Sequence, residues 1–376
     1  MTGGVLTING RKCSFTSGQT ILEAAAESGI DIPTLCYLAG TTPTGRCGIC
    51  VVEIAGEAEL RTACTTPAAG QMAVWTESPR VVAARKETLA GFLASGNHNC
   101  AIGADRREPW TAFQLRAQET DETDTLCPAW GDCRLQELAY RYQVRTEPLA
   151  PPKDSPPPEM INPLIIRDFS RCISCGRCVA ACNEVQVNRA IQLSDDGPDA
   201  RVTTPEDRPL KESNCVFCGE CVQACTTGAL VEKKARFLWR PWDTTRIRTT
   251  CPYCGVGCQQ WLHVRDGRIV KVTGVEGGAP NDGRLCVKGR FGYDFIYSRE
   301  RLKTPLIKKD GGFRQASWEE ALDLVAERFG AIIAAHGPDA VAGVSCARSI
   351  NEDSYQMQKL FRAVFKTNNI DHCART

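Results

Sequence analysis

Nineteen of the 22 cysteines in this chain, with one histidine, fall into five groups whose spacing suits thiolate ligation of metal. Cys36, Cys47, Cys50 and Cys64 form the first group, and His98, Cys100, Cys127 and Cys133 the second. Cys172, Cys175, Cys178 and Cys182 are spaced Cys-x2-Cys-x2-Cys-x3-Cys, and Cys215, Cys218, Cys221 and Cys225 repeat that spacing. Cys251, Cys254 and Cys258, followed by Cys286, complete the set. Cysteines three residues apart converge more readily on one metal centre than on each other as a disulfide. A disulfide framework belongs to secreted chains, and the first residues, MTGGVLTING, show neither an export signal nor an Arg-Arg pair. The expectation is therefore reduced thiols in a cytoplasmic protein, holding clusters that carry electrons. A structural zinc site is the alternative for the first group, and zinc or chance spacing for the two repeated runs. Cys13, Cys346 and Cys373 belong to no group and are expected to be small buried hydrophobes.

Bulk properties exclude other classes. The net charge of +1 at pH 7 points to neither nucleic acid nor an acidic lipid surface. The longest apolar stretch, Phe329–Ala335, is far too short to span a membrane. A length of 376 residues suits three or four domains.

The elements that must position these thiols can be read in order. Val5–Ile8 and Lys12–Phe15 flank Asn9-Gly10, a two-residue hairpin signal. Thr20 and Glu23 form a capping box for a helix that Gly29 ends, and Val51–Ile54 and Met72–Trp75 read as strands. Residues 1–80 thus form one small β-rich domain, and 81–147 a largely helical module. Pro148–Pro163 is a stiff linker with seven prolines, 164–236 a compact repeat of the two cysteine runs, and Lys233–Arg248 a basic connection. In 249–305 a hairpin runs Trp261–Val264, Asp266-Gly267, Ile269–Thr273. In 306–376 Ser317 and Glu320 start an amphipathic helix ending at Gly337. Ala340–Ser345 follows as a strand with no sheet to pair it, then Glu352–Phe365 as a helix, the start of an α/β domain. The fold class is a multidomain α+β chain.

The motifs resemble known families. The first group, with ten residues between Cys36 and Cys47 and with Gly40, Gly45 and Gly48 in its loop, is similar to β-grasp [2Fe–2S] ferredoxins of the plant type, in the branch linked to respiratory complexes. The run from Cys133, CRLQELAYRY, resembles a His/Cys-ligated [4Fe–4S] module of complex I large subunits, iron-only hydrogenases and cytoplasmic formate dehydrogenases. It departs in having only Asn99 between His98 and Cys100, and 26 residues, Ala101–Leu126, before Cys127, a charged surface excursion. The repeated runs are those of bacterial two-cluster ferredoxins, in which the fourth cysteine serves the other cluster. The resemblance implies one centre on Cys172, Cys175, Cys178 and Cys225, and another on Cys215, Cys218, Cys221 and Cys182. Asn183 and Thr226 stand where such runs usually carry proline. TTCPYCGVGC with GRLCVKGRFG is similar to the N-terminal cluster domain of molybdopterin-dependent oxidoreductases, and Lys288 takes the place of the family's lysine between cluster and pterin. A buried ammonium is expected there.

The order of modules resembles the alpha subunit of soluble NAD-linked formate dehydrogenases; complex I large subunits share a similar order. The closing segment, SCARSINEDSYQMQKLFRAVFKTNNIDHCART, resembles the segment that leads to the metal ligand of formate dehydrogenases. The resemblance implies formate as substrate, a molybdenum or tungsten bis(molybdopterin guanine dinucleotide), one [2Fe–2S] and four [4Fe–4S] clusters, and flavin- and NAD-binding diaphorase-type partners. It also implies selenocysteine at the position after Thr376, its UGA codon read as a stop, so that the fragment is not catalytic alone. A complex I-like large subunit or a non-catalytic electron-transfer module is the alternative.

Overall fold

The computed structural model describes residues 3–96, 98, 110, 112, 127–144, 156–194 and 200–372. The chain divides into two compact units, Met1–Thr245 with Arg265–Lys271, and Arg246–Val264 with Val272–Thr376.

The first unit opens with β1 (Gly4–Ile8) and β2 (Arg11–Phe15), antiparallel and in register from Gly4↔Phe15 to Ile8↔Arg11. Asn9 and Gly10 make the turn at φ 50° and 80°, the left-handed pair that a two-residue hairpin requires. In α1 (Ile21–Glu27) Thr20 accepts from the Glu23 amide while the Glu23 carboxylate receives the Thr20 amide, so the expected box is complete. With β3 (Val51–Ile54), β4 (Arg61–Thr62) and β5 (Ala73–Trp75) the sheet runs β2-β1-β5-β3-β4, and β1 and β5 are parallel. Leu6, Ile8, Val52, Ile54 and Val74 bury the sheet face against Ile21, Leu22, Ala24 and Ala25 of α1, a β-grasp core.

Ser78 caps α2 (Pro79–Ala94), with proline at its first position. This helix buries Val81, Arg85, Leu89 and Leu93, an i, i+4 stripe that includes a cation. Next among the described residues comes α3 (Arg134–Arg141), whose N-cap is Cys133 and whose Leu135, Leu138 and Ala139 are buried. The paired cysteine runs sit on two short helices, α4 (Arg177–Ala180) and α5 (Glu220–Ala224). They lie among β6 (Ile165–Arg167), β7 (Gln192–Leu193), β8 (Val202–Thr203) and β9 (Leu230–Glu232), which pair β6-β9 and β7-β8, both antiparallel.

A three-stranded sheet follows, ordered β10 (Thr245–Thr250), β11 (Gln259–Arg265), β12 (Arg268–Gly274), with Asp266 and Gly267 left-handed at the expected turn. In the second unit come α6 (Val287–Phe291), a hairpin of β13 (Leu306–Lys309) and β14 (Gly312–Gln315), and α7 (Trp318–His336). Ser317 caps α7 as expected, while the Glu320 carboxylate takes Arg314 Nη1 at 3.1 Å. The expected strand shortens to β15 (Gly343–Ser345), because Pro338–Ala340 turns as a 3-10 helix. The expected helix is α8 (Asn351–Lys359), continued over Leu360–Phe365 as a wider i→i+5 turn. Nor is β15 unpaired: β16 (Ile370–His372) lies parallel to it, so the expectation of a strand without a partner is corrected. The short, polar β16 carries no period-2 signal, which is why the sequence hid it.

Candidate metal centres

The first thiol group lies where the loop after α1 returns to β3. Cys36, Cys47, Cys50 and Cys64 are all buried. Cys50 donates its S–H to Cys64 at 3.4 Å. A hydrogen bond from Cys47 lowers the Cys36 thiol to about 6, and the donor itself is pushed up. Cys64 is lowered in the same way by Cys50. Four thiols thus stand as two S–H···S pairs, each ready to exchange its proton for metal charge.

The two repeated runs open with the same turn. Ser174 and Phe217, each two residues after the first cysteine of its run, adopt φ 52° and 54°. Each turns its amide onto that cysteine's sulfur: Ser174 N to Cys172 Sγ at 3.4 Å, and Phe217 N to Cys215 Sγ at 3.4 Å. Gly176 and Gly219 follow at φ 76° and open α4 and α5, a conformation that costs a residue with a Cβ about 1 kcal/mol or more. Left-handed non-glycine residues repeated at matching positions are the mark of a site that is paid for elsewhere in the fold.

Cys172, Cys175, Cys178 and Cys225 line one pocket with Ile173, Val202 and Leu230. Cys182 instead stands with the second run, close enough for its charge to act on Cys215 and Cys221. Burial raises Cys215 to about 11, Cys175 to about 12, and Cys178 and Cys221 well above the ordinary thiol value. Closely packed thiols that resist ionisation alone are what a multiply charged iron–sulfur core would ionise outright.

His98 is buried, and its Nε2 has no hydrogen-bond partner among the described residues. Burial first, then Arg171, hold its imidazole down to about 4 against the opposing pull of Asp168. A neutral buried imidazole with an unmatched nitrogen fits a metal ligand. Cys127 and Cys133 belong to one buried cluster, whereas Cys100 lies outside the described residues. Arg171 Nη1 donates to Cys127 Sγ at 3.3 Å, and Cys133 Sγ reaches the Thr226 carbonyl at 3.5 Å.

In the second unit the Cys251 amide donates to the Cys258 carbonyl at 2.8 Å, closing the Cys251–Cys258 loop. Burial raises both thiols, and the charges of Cys254 and Cys286 act on both. Lys288 is exposed, its Nζ 5.7 Å from the Tyr253 ring centroid, so the expected buried ammonium is not found. An open cleft of about 740 Å³ is lined by Cys254, Val256, Cys346, Asn351, Arg362 and His372. Cys346 therefore faces a cleft and is not the buried hydrophobe expected, whereas Cys13 is fully buried and Cys373 lies outside the described residues. No described cysteine is in a disulfide, and no three His, Cys, Asp or Glu side chains among the described residues close on a single ion. Spacing drew attention to the ligand candidates but missed Arg171 and Thr226. The only signals were an arginine directly before a cysteine run and a threonine in a proline's usual place.

Models of known protein families match four segments of the chain. Residues 5–79 match the 2Fe-2S iron-sulfur cluster binding domain, and 171–229 the 4Fe-4S dicluster domain. Residues 244–298 match the molybdopterin oxidoreductase Fe4S4 domain, and 301–376 the molybdopterin oxidoreductase family itself. The chain is 36% identical over 370 residues to the NADPH-Fe(3+) oxidoreductase subunit alpha of Geobacter sulfurreducens, covering 98% of this chain and 40% of that protein. It is 36% identical over 372 residues to an NADH-quinone oxidoreductase subunit of Rhizobium meliloti, covering 98% and 40%. It is 33% identical over 411 residues to a Bacillus subtilis protein named "Putative formate dehydrogenase", covering 98% and 39%. The chain thus spans about 40% of the length of the curated relatives it matches. A crystal structure of an NAD+-reducing [NiFe]-hydrogenase in the H2-reduced state is similar at a TM-score of 0.53 and 27% identity, over 63% of this chain and 90% of that one.

Proposed function

As the chain belongs to the molybdopterin oxidoreductase family and carries its [2Fe–2S] and [4Fe–4S] domains, we propose that it is the electron-conducting portion of a formate dehydrogenase alpha subunit. Cys36, Cys47, Cys50 and Cys64 would hold a [2Fe–2S] cluster. His98, Cys100, Cys127 and Cys133 would hold a [4Fe–4S] cluster, as would Cys251, Cys254, Cys258 and Cys286, and the two crossed ferredoxin sets one each. The observation that carries the electron-transfer reading is Cys225 lining one pocket with Cys172, Cys175 and Cys178 while Cys182 stands with the opposite run. Chance spacing does not produce a reciprocal exchange. No described helix is long and apolar enough to cross a membrane. The proposed setting is the cytoplasm, beside a flavin- and NAD-binding partner.

Formate as substrate is supported by the closing segment and by the Bacillus relative's name. A molybdenum or tungsten bis-pterin would supply the two-electron oxidation. Asn351 and Arg362 line the cleft beside Cys254 and would offer it polar contacts. Lys288, exposed toward solvent, would meet the pterin as a point charge. The identity to an NADH-quinone oxidoreductase component supports a second reading, a conducting subunit without a metal-pterin reaction. Metal analysis of the full-length protein for Mo, W and Fe, with formate-dependent dye reduction, separates the two. Bound pterin and formate-driven reduction support the first reading. Full iron with neither overturns it in favour of the second.

A further inference from the structure

The second thiol group and the pocket of Cys172, Cys175, Cys178 and Cys225 meet along a seam of two short segments. On one side Arg171 is buried, with Nε 3.1 Å from Asp168 Oδ2 and Nη1 donating to Cys127 Sγ at 3.3 Å. The next residue is Cys172, which lines the facing pocket. On the other side the Thr226 carbonyl accepts from Arg134 N at 2.9 Å and from Cys133 Sγ at 3.5 Å, while Thr226 Oγ1 lies 3.7 Å from Cys175 Sγ. Thr227 Oγ1 donates to the Arg171 carbonyl at 2.7 Å, tying the two segments together. At Gly228 any Cβ would fall 2.3 Å from Ala129 Cβ, so the backbones pack directly.

The charges along this seam are unequal toward the two thiol groups. Asp168 is occupied on both oxygens: Oδ1 accepts from Ser170 N at 3.2 Å and Ser170 Oγ at 2.6 Å, and Oδ2 faces Arg171. The guanidinium, by contrast, reaches beyond the carboxylate to a thiol sulfur. It stays protonated at any working pH, so its charge is fixed. A cationic donor on a ligand sulfur favours the reduced, more negative form of a cluster and raises its potential. Among the described residues the hydrogen-bond donors to Cys172 are neutral: the Ser174 amide, with lesser contributions from the Ser174 hydroxyl and the Val202 backbone.

We propose that Arg171 is a positioning residue for electron transfer, a fixed cation at Cys127 Sγ that draws the electron across this seam. It does so by raising the reduction potential of the centre Cys127 helps to hold above that of the ferredoxin-type centre beside it. The proposal rests on the reading of these cysteines as cluster ligands. One electron leaves the centre of Cys172, Cys175, Cys178 and Cys225, which is oxidised, and the centre at Cys127 is reduced by it. No bond forms or breaks and no proton moves.

The test is a redox titration followed by electron paramagnetic resonance on the full chain, loaded anaerobically with iron and sulfide. Cys127→Ser identifies which signal belongs to the seam. Arg171→Met should shift that signal's electron share relative to its neighbours at least tenfold toward the oxidised form, about 59 mV for one electron, with the other signals moving far less. Arg171→Lys keeps the charge and should retain at least half of the effect. The double variant Asp168→Asn/Arg171→Met leaves no unpaired buried carboxylate and should show the same selective shift at unchanged iron content. If both Met variants lose the centre, Arg171→Gln, which keeps a donor without the charge, decides: a selective downward shift supports the proposal and an unmoved potential overturns it. Retained iron with every potential within threefold of wild type overturns it, as does an equal shift of all centres. A Cys127→Ser variant that loses no signal and no iron overturns the ligand reading itself, and the proposal with it.

Discussion

Arg85 is fully buried in the middle of α2's apolar stripe, and removing its charge should loosen the loop that carries Cys47 and Cys50. Its Nε donates to the Ile49 carbonyl at 2.9 Å, Nη2 to the Val51 carbonyl at 2.8 Å, and Nη1 to Tyr142 Oη at 2.7 Å. Nη1 also meets Glu77 at 2.9 Å, but that carboxylate is 43% exposed and the pair is worth at most about 1 kcal/mol. In Arg85→Met the stem stays packed while Ile49 O, between two cysteines of the first group, loses its donor inside the core. A buried acceptor left unmatched costs about 1–3 kcal/mol. Taking about 2 for Ile49 and about 1 for the less buried Val51 gives roughly 3 kcal/mol. Tyr142 keeps Glu77, 2.9 Å away, and adds little. Hydrogen exchange of the segment 47–54 in the iron-loaded chain reads this directly, because local opening sets the rate. The expected acceleration is on the order of a hundredfold in Arg85→Met and smaller in Arg85→Lys, whose ammonium can still serve one carbonyl. Exchange changed by less than about threefold in Arg85→Met would refute the reasoning.

Three further outcomes are expected. Anaerobically reconstituted chain should hold about 18 irons, 2 + 4 × 4, by colorimetric assay; a value near 10 would mean that two of the four-iron assignments are wrong. His98→Cys should keep its cluster but lower one reduction potential, since thiolate replaces a neutral nitrogen, while His98→Ala should lose or loosen it. Potentials and iron unchanged in both variants would remove His98 from the ligand set. Gly228→Ala places a Cβ 2.3 Å from Ala129 Cβ at a residue with φ 71°, and the combined overpacking and backbone strain should cost roughly 3 kcal/mol. Urea-induced bleaching of the visible absorbance should then come at clearly lower denaturant than in wild type, and an unmoved midpoint counts against direct backbone packing at this seam.

What could be read from the sequence was what local chemistry dictates. Asn9-Gly10 makes its hairpin and Thr20 with Glu23 its cap, because each needs only neighbours in the chain. The cysteine runs were legible for the same reason: ligand spacing is a local constraint. What escaped depends on distant partners. Arg85 occupies an apolar i, i+4 position between Val81 and Leu89, and nothing near it in sequence announces the carbonyls of Ile49 and Val51 that satisfy it. β16 is too short and polar to declare itself, and only its pairing with β15 makes it a strand. Lys288 and Cys346 were misjudged in burial, since exposure is settled by what packs over a residue and not by its motif.

The fold also bears on the order in which electrons would travel. The modules in series suggest a single file, from the paired ferredoxin sites through the His/Cys site to the [2Fe–2S] site. The first unit is more connected than that. One buried cluster joins Cys36 and Cys47 to Leu89, Leu93, Cys127 and Cys133, and reaches Ile173 within the first ferredoxin run. The loop of the first group also meets that run directly: Arg46, next to Cys47, donates from Nε to the Ser174 carbonyl at 3.0 Å. Thr42 N donates to Glu184 at 2.7 Å, two residues past Cys182. If these groups hold clusters as proposed, the first ferredoxin run packs against both neighbouring groups, and an electron there would have two exits. Where geometry leaves two exits open, relative potential selects between them, and the groups that set potential are hydrogen bonds and fixed charges at the sulfurs. The Arg171 contact to Cys127 would be one such bias, a fixed cation placed at a sulfur of the second group.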